Sequence, residues 1–300
     1  MKTKRSLITI AIGIILLSSP IVYHLVFESL FVSHQIHSFS GQIRIPARTL
    51  EVPEIEEYNS LKNLIMVAGH AVFNGNSYDQ QSLANEQLWT LESFQHGHTP
   101  AFLAHIQAGV ELASRDPSAL LLFSGGETRK ESGPISEAQN YWKIADANGW
   151  FSGENTELRR RALTEEFSRD SFENLLFSIC RFREITQRYP ENITVISFSF
   201  KRARFQNIHA VALRFPQERF HFEGVDPPGM NQVDKVGEIS NAAGPFMNDP
   251  YGCSNRILVE KRLQRNPFRR IHSYPLGCPE IAPLFSLCDS KVYTGTLPWD

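Results

Sequence analysis

The chain has 300 residues, enough for one large domain or two small ones with a full apolar core. A hydrophobic fraction of 42% and a charged fraction of 21% exclude an intrinsically disordered chain. With 30 basic against 32 acidic residues and a formal charge of −2, there is no net-basic balance of the kind a nucleic-acid binder carries.

Lys2, Lys4 and Arg5 precede a stretch from Ser6 to Phe27 that has no acidic or strongly basic side chain, although Pro20 and His24 interrupt it. That length can span a bilayer core, and the basic flank predicts a cytoplasmic N-terminus. Residues 1–30 are therefore expected to be a transmembrane signal-anchor, with the rest of this single-pass chain lumenal or extracytoplasmic. The competing expectation is a cleaved or mitochondrially imported segment. Residues 31–60, with an acidic patch at Glu51, Glu54, Glu56 and Glu57, read as a stalk.

From residue 61 to 224 short apolar runs alternate with helical periodicity. Strands are predicted at 61–68, 120–123, 193–199 and 219–223. Helices are predicted from Thr99-Pro100 to Asp116, from Pro134 to Asn148, from Asp170 to Arg188 and from Arg202 to Phe215. This alternation predicts a three-layer α/β/α, Rossmann-like domain around a mainly parallel sheet. Residues 225–300 break the pattern. They are rich in Pro, Gly and Arg, carry one short predicted helix from Asn255 to Gln264, and are expected to pack over either the sheet edge or the cleft.

No Cys or His spacing fits a structural metal. Cys180 falls inside a predicted helix and reads as a buried free thiol; Cys253, Cys278 and Cys288 could form a disulfide in an oxidising compartment. Asn192-Ile193-Thr194 fits a glycosylation sequon but abuts a predicted strand.

In a parallel sheet, ligands bind outside the carboxyl ends of the strands. Three such ends carry polar groups: Gly69-His70; Ser124-Gly125-Gly126, followed by Thr128 and Glu137; and Ser197 with Ser199, leading to Lys201, Arg202 and Arg204. A fourth group is the string Glu166, Ser168, Asp170, Ser171, Glu173 and Asn174. Each has a purely structural explanation: a dipole-facing Glu137, an Asp170–Glu173 capping box, a solvated basic face. Their joint placement at strand tips is what points to a cleft.

These motifs, in this order, resemble the domain-of-unknown-function family 218 (the ElyC/SanA/YdcF type) over residues 61–223. The length and tail resemble its longer, fungal-type members. The resemblance implies a Rossmann-like domain, often behind a membrane helix. Its cleft would comprise Gly69, Ser124, Gly125, Gly126, Glu137, Glu166, Ser168, Asp170, Ser171, Asn174, Ser197 and Arg204. Asp170-Ser171 stands where the family usually has Asn-Thr, and Lys201 where it usually has histidine, so a histidine base is not expected there; His209 is the nearest substitute in sequence.

The expected ligand is a phosphate-bearing or nucleotide-like molecule, its cofactor class unassigned. Gly125 and Gly126 would donate amides, Lys201 and Arg204 would neutralise charge, and Glu137 or Glu166 would serve as acid or base in a hydrolase or transferase. The alternative is a non-catalytic binding or scaffold protein of the membrane. A third expectation makes Ser124 a nucleophile at a strand-tip turn.

Overall fold

The computed structural model describes residues 56–153, 156–226 and 239–300. The expected anchor and most of the expected stalk lie outside these residues. Among the described residues no helix is long and apolar enough to cross a membrane.

Five strands form one sheet: β1 (Asn63–Ala68), β2 (Ala119–Ser124), β3 (Ala162–Glu165), β4 (Asn192–Ser197) and β5 (Phe220–Gly224). Their order is β3-β2-β1-β4-β5 and every pairing is parallel. β1 sits at the centre, Leu64 facing Leu120 on one side and Ile193 on the other. Its apolar run suits a strand buried on both faces.

Strand alternation sends successive side chains to two separate cores. Leu64, Met66, Leu122 and Val195 pack with Phe172, Leu175 and Ile179 of helix α3 (Ser171–Thr186). Ile65, Val67, Leu121 and Phe123 pack with Phe102 and Ile106 of α1 (Thr99–Arg115) and Tyr141 and Ile144 of α2 (Glu137–Ala147). Helices therefore cover both faces of the sheet, as the alternation predicts.

Local chemistry fixes the helix starts. Ser136 caps α2 by accepting from the Gln139 amide, and Asp170 caps α3 by accepting from Glu173 at 2.9 Å. The expected reciprocal half of that box is redirected, since the Glu173 carboxylate accepts the Arg169 amide instead. Among the strands, three escape the sequence reading: β3, only four residues long, and the two of a small antiparallel pair, Val72–Phe73 with Trp89–Thr90. Asn192 is the first residue of β4 and donates to Asn63 at 3.0 Å, so its amide is already engaged within the fold.

The C-terminal segment is part of the domain. Tyr251, Leu258, Tyr274 and Trp299 join the same core as α3, and α4 (Arg256–Gln264) lies in this segment. The expectation of a free Cys180 is overturned: Cys180 is bonded to Cys278, and Cys253 to Cys288. Cys180 lies on the inner face of α3, fully buried beside the tail, which brings Cys278 within bonding distance.

Candidate functional site

A cavity of about 890 Å³ opens outside the carboxyl ends of β1, β2 and β4. The strand order reverses direction between β1 and β4, the place where open α/β sheets leave a crevice. Of the residues singled out in the sequence, Gly69, Glu137, Ser168, Asp170, Ser171, Asn174, Ser197, Lys201 and Arg204 line it.

Ser124, Gly125 and Gly126 lie beneath it, and the expectation that their amides serve a ligand is corrected. Gly125 N–H donates to the Glu165 carbonyl at 3.0 Å and Gly126 N–H to that of Ser168 at 2.8 Å. The first amides of α2 are occupied too: Glu137 and Ala138 donate to the carbonyls of Gly126 and Gly125. The glycines act by what they lack. A Cβ on Gly69 or Gly125 would stand 2.7 or 2.8 Å from Cβ of Glu137, so the bare backbones let this side chain descend between two strand tips. There the Glu137 carboxylate accepts from Thr128 Oγ1 and stands 3.7 Å from Arg129 Nε.

Under this floor runs a buried polar network centred on Glu165. Its carboxylate accepts from Ser124 Oγ at 2.7 Å, the Phe167 amide at 2.7 Å and Tyr274 Oη at 3.0 Å. Burial pushes its pKa up, against the pull of these donors. Asn174 Nδ2 bridges Ser124 Oγ and Ser168 Oγ at 2.9 and 2.8 Å. Ser124 is wholly buried, which removes it as a nucleophile. Glu166 points the other way along the chain, accepting from Ser136 and Thr164 hydroxyls, and it does not line the cavity.

The walls are cationic. Arg129, 6% exposed, binds Glu92 and donates to the His70 carbonyl at 2.7 Å. Arg265 reaches the same Glu92 at 4.0 Å from the opposite, C-terminal wall. Burial and then the facing Arg129 charge lower the Arg265 pKa, while Glu137 and Glu92 oppose this. Lys201 Nζ lies 3.3 Å from His70 Nδ1. An ammonium has no lone pair, so Nδ1 accepts and Nε2–H donates to Ser197 Oγ at 3.2 Å. An imidazole thus stands beside Lys201 after all, supplied by the tip of β1. Burial, then the Lys201 charge, holds His70 neutral by lowering its pKa well below the usual histidine value.

The C-terminal segment closes one side: Asn241, Phe246, Ile257, Lys261 and Arg265 line the cavity. This decides the expectation left open for the tail. It is locked to α3 by Arg262, which donates to Asp170 at 2.6 Å and pairs with Glu173 at 3.3 Å. Burial would raise the Asp170 pKa, but Arg262 and the Glu173 amide hold it down to about 2. Among the described residues no cluster of three or more His, Cys, Asp or Glu could hold a metal ion.

An uncharacterized protein of Saccharomyces cerevisiae (strain ATCC 204508 / S288c), YOR238W, is 32% identical to this chain over 260 residues, covering 70% of this chain and 86% of the yeast protein. The chain belongs to the YOR238W family. No family model matches it, and no solved structure matches it.

Arg129, Glu92 and Arg265 escaped the sequence reading of this YOR238W-family chain. Glu92 and Arg265 lie in stretches without motif, and Arg129 follows the glycine turn as an ordinary loop residue. The one available signal was the arginine content of the tail.

Acid should destabilise the domain. His70, His105 and His209 are buried with pKa values lowered chiefly by burial, His105 to about 4. A lowered folded value means the neutral form is favoured, so their stabilisation is complete above the unfolded pKa of about 6.5 and is lost as pH falls toward the folded values. Between pH 7.5 and 5.5 each contributes a loss of about 1.4 kcal/mol, or about 4 kcal/mol together. Thermal melts across this range should show the midpoint dropping; a flat profile would contradict the neutral assignment.

Proposed function

We propose that the chain binds a phosphate-bearing small molecule in the strand-tip cavity, as a membrane-anchored, extracytoplasmic member of the domain-of-unknown-function family 218 type. The observation carrying the reading is the convergence of Arg129, of Lys201 with Arg204, and of Arg265 on one cavity from three separate parts of the chain. Two guanidinium groups meeting at one carboxylate, Glu92, in a partly desolvated space favour an incoming anion. Two disulfides support an oxidising compartment for the domain, since such bonds persist where thiols are not kept reduced.

Glu137 is the carboxylate in place for proton transfer, and Glu166 is withdrawn from that role. The second reading, binding without turnover, is favoured by the engagement of Glu137 with Thr128 and Arg129, which suits an orienting group as well as a base.

The test is calorimetry and thermal shift on the full chain with inorganic pyrophosphate, glycerol phosphates and nucleoside phosphates. At least one should raise the melting temperature, by linkage. Arg265→Met and Lys201→Met should each weaken that ligand at least about tenfold, the loss of one charge-assisted contact. No stabilisation by any of the three classes would remove the reading.

A further inference from the structure

We propose that Ser171 is a nucleophile activated by His209, so that the cavity cleaves a phosphoester through a covalent phosphoserine. The inference rests on the phosphate-binding reading above and adds a reaction to it. Ser171 is the first residue of α3, lines the cavity, and has its Oγ 2.7 Å from His209 Nε2. That is the nucleophile-to-base separation covalent catalysis requires. Ser124, the serine of the glycine turn, is sealed below. Ser197 also meets the cavity and an imidazole, but there His70 Nε2–H is the donor, which leaves Ser171 as the cavity serine whose imidazole can accept its proton.

His209 is held for this purpose by unusual backbone. Residues Phe205–His209 form a π-helical turn within the helix that follows β4, a distortion that recurs at functional sites. It tucks the ring wholly out of solvent, edge-on to Phe205 and Phe246 with centroids 5.4 and 4.6 Å away. These rings fix the imidazole plane without a carboxylate partner. Burial, then the Arg204 charge, lowers its pKa well below the ordinary histidine value while Asp170 opposes this, so the resting ring is neutral and free to take a proton.

The surroundings suit a phosphoryl transition state. As in any helix, the first amides of α3, those of Ser171 and Phe172, have no carbonyl within the helix to bond. The Asp170 cap answers the Glu173 amide instead. Arg204 and Lys201 line the same space. In the forward step Ser171 Oγ bonds to phosphorus while its proton moves to His209 Nε2. The P–O bond to the leaving alcohol, in line with Ser171 on the far side of phosphorus, breaks, and the alcoholate takes a proton from cavity water, leaving hydroxide. The hydroxide so formed then attacks phosphorus from the vacated side, the P–O bond to Ser171 breaks, and Oγ takes its proton back from His209 as phosphate leaves.

The test is intact-protein and peptide mass spectrometry of the full chain treated with a fluorophosphonate, whose phosphorus–fluorine bond Ser171 would displace. The expected result is one adduct on Ser171, formed at least about 1000-fold faster than on a free serine amide. It should be absent in Ser171→Ala and at least about 100-fold slower in His209→Gln, the usual scale of general-base assistance. Labelling of Ser171 no faster than the free amide, labelling elsewhere, or labelling indifferent to His209→Gln would overturn the proposal. The comparison with the free amide decides the matter even if His209→Gln does not fold. Pyrophosphate stabilisation of Ser171→Ala, measured alongside, separates failure of this chemistry from failure of the binding reading.

Discussion

Gly125→Ala is expected to destabilise the domain by about 2–3 kcal/mol and lower its melting temperature by several degrees. The added methyl would stand 2.8 Å from both Cβ and Oε2 of Glu137 and 3.4 Å from Cα of Gly69. Real Cβ atoms essentially never come that close, and the neighbours are the stem of a buried side chain and backbone, neither of which yields cheaply. Displacing Glu137 also frees Thr128 and disturbs Arg129, so ligand affinity should fall with stability. A double-mutant cycle with Glu137→Gly separates this cause from ordinary glycine effects. Removing the Glu137 side chain should recover part of the loss, because the two substitutions act on one contact. Strict additivity in urea melts would mean that the glycine is needed for something other than room for Glu137.

Removing the Cys180–Cys278 bridge, as Cys180→Ala with Cys278→Ala, should cost about 4–5 kcal/mol and on the order of 10 °C in melting temperature. The bond closes a loop between residues 98 apart in sequence, so its loss releases much unfolded-state entropy. Cys253–Cys288 spans 35 residues and should be worth about 4 kcal/mol on the same argument. The two pairs also fasten the segment that carries Arg262 and Arg265. Each variant should therefore show earlier proteolytic cleavage around α4 than the parent. A urea midpoint unchanged in either variant would mean that packing alone secures the tail.

The sheet was readable because its central strands are uninterrupted apolar runs. Met66, Leu122 and Val195 announce themselves. β3 was not, since Ala162–Glu165 is short, sits at the edge and ends in a carboxylate whose burial only the fold makes sensible. In the site, sequence drew attention to strand tips that border the cavity, but the glycine amides it assigned to a ligand are engaged within the fold. Paired glycines suggest exposed amides; here neighbouring carbonyls accept those amides, and the glycines instead admit Glu137. One residue of register separates Glu166, engaged at the periphery, from Glu165, the hub of the buried network. Strand alternation decides between them, and an unrecognised strand gives no alternation to use. Arg265 and the Cys180–Cys278 pair are contacts across long stretches of chain, which no local pattern encodes.

The placement of α4 and Arg265 also sets an order on biosynthesis. Every strand tip and the whole Glu137 pocket precede them in the chain, yet the cavity has its second cationic wall only once this segment docks on α3 through Arg262. A nascent chain that has completed its sheet still presents an open trough. The Arg265 wall is therefore added only once translation has passed α4 and the tail has docked.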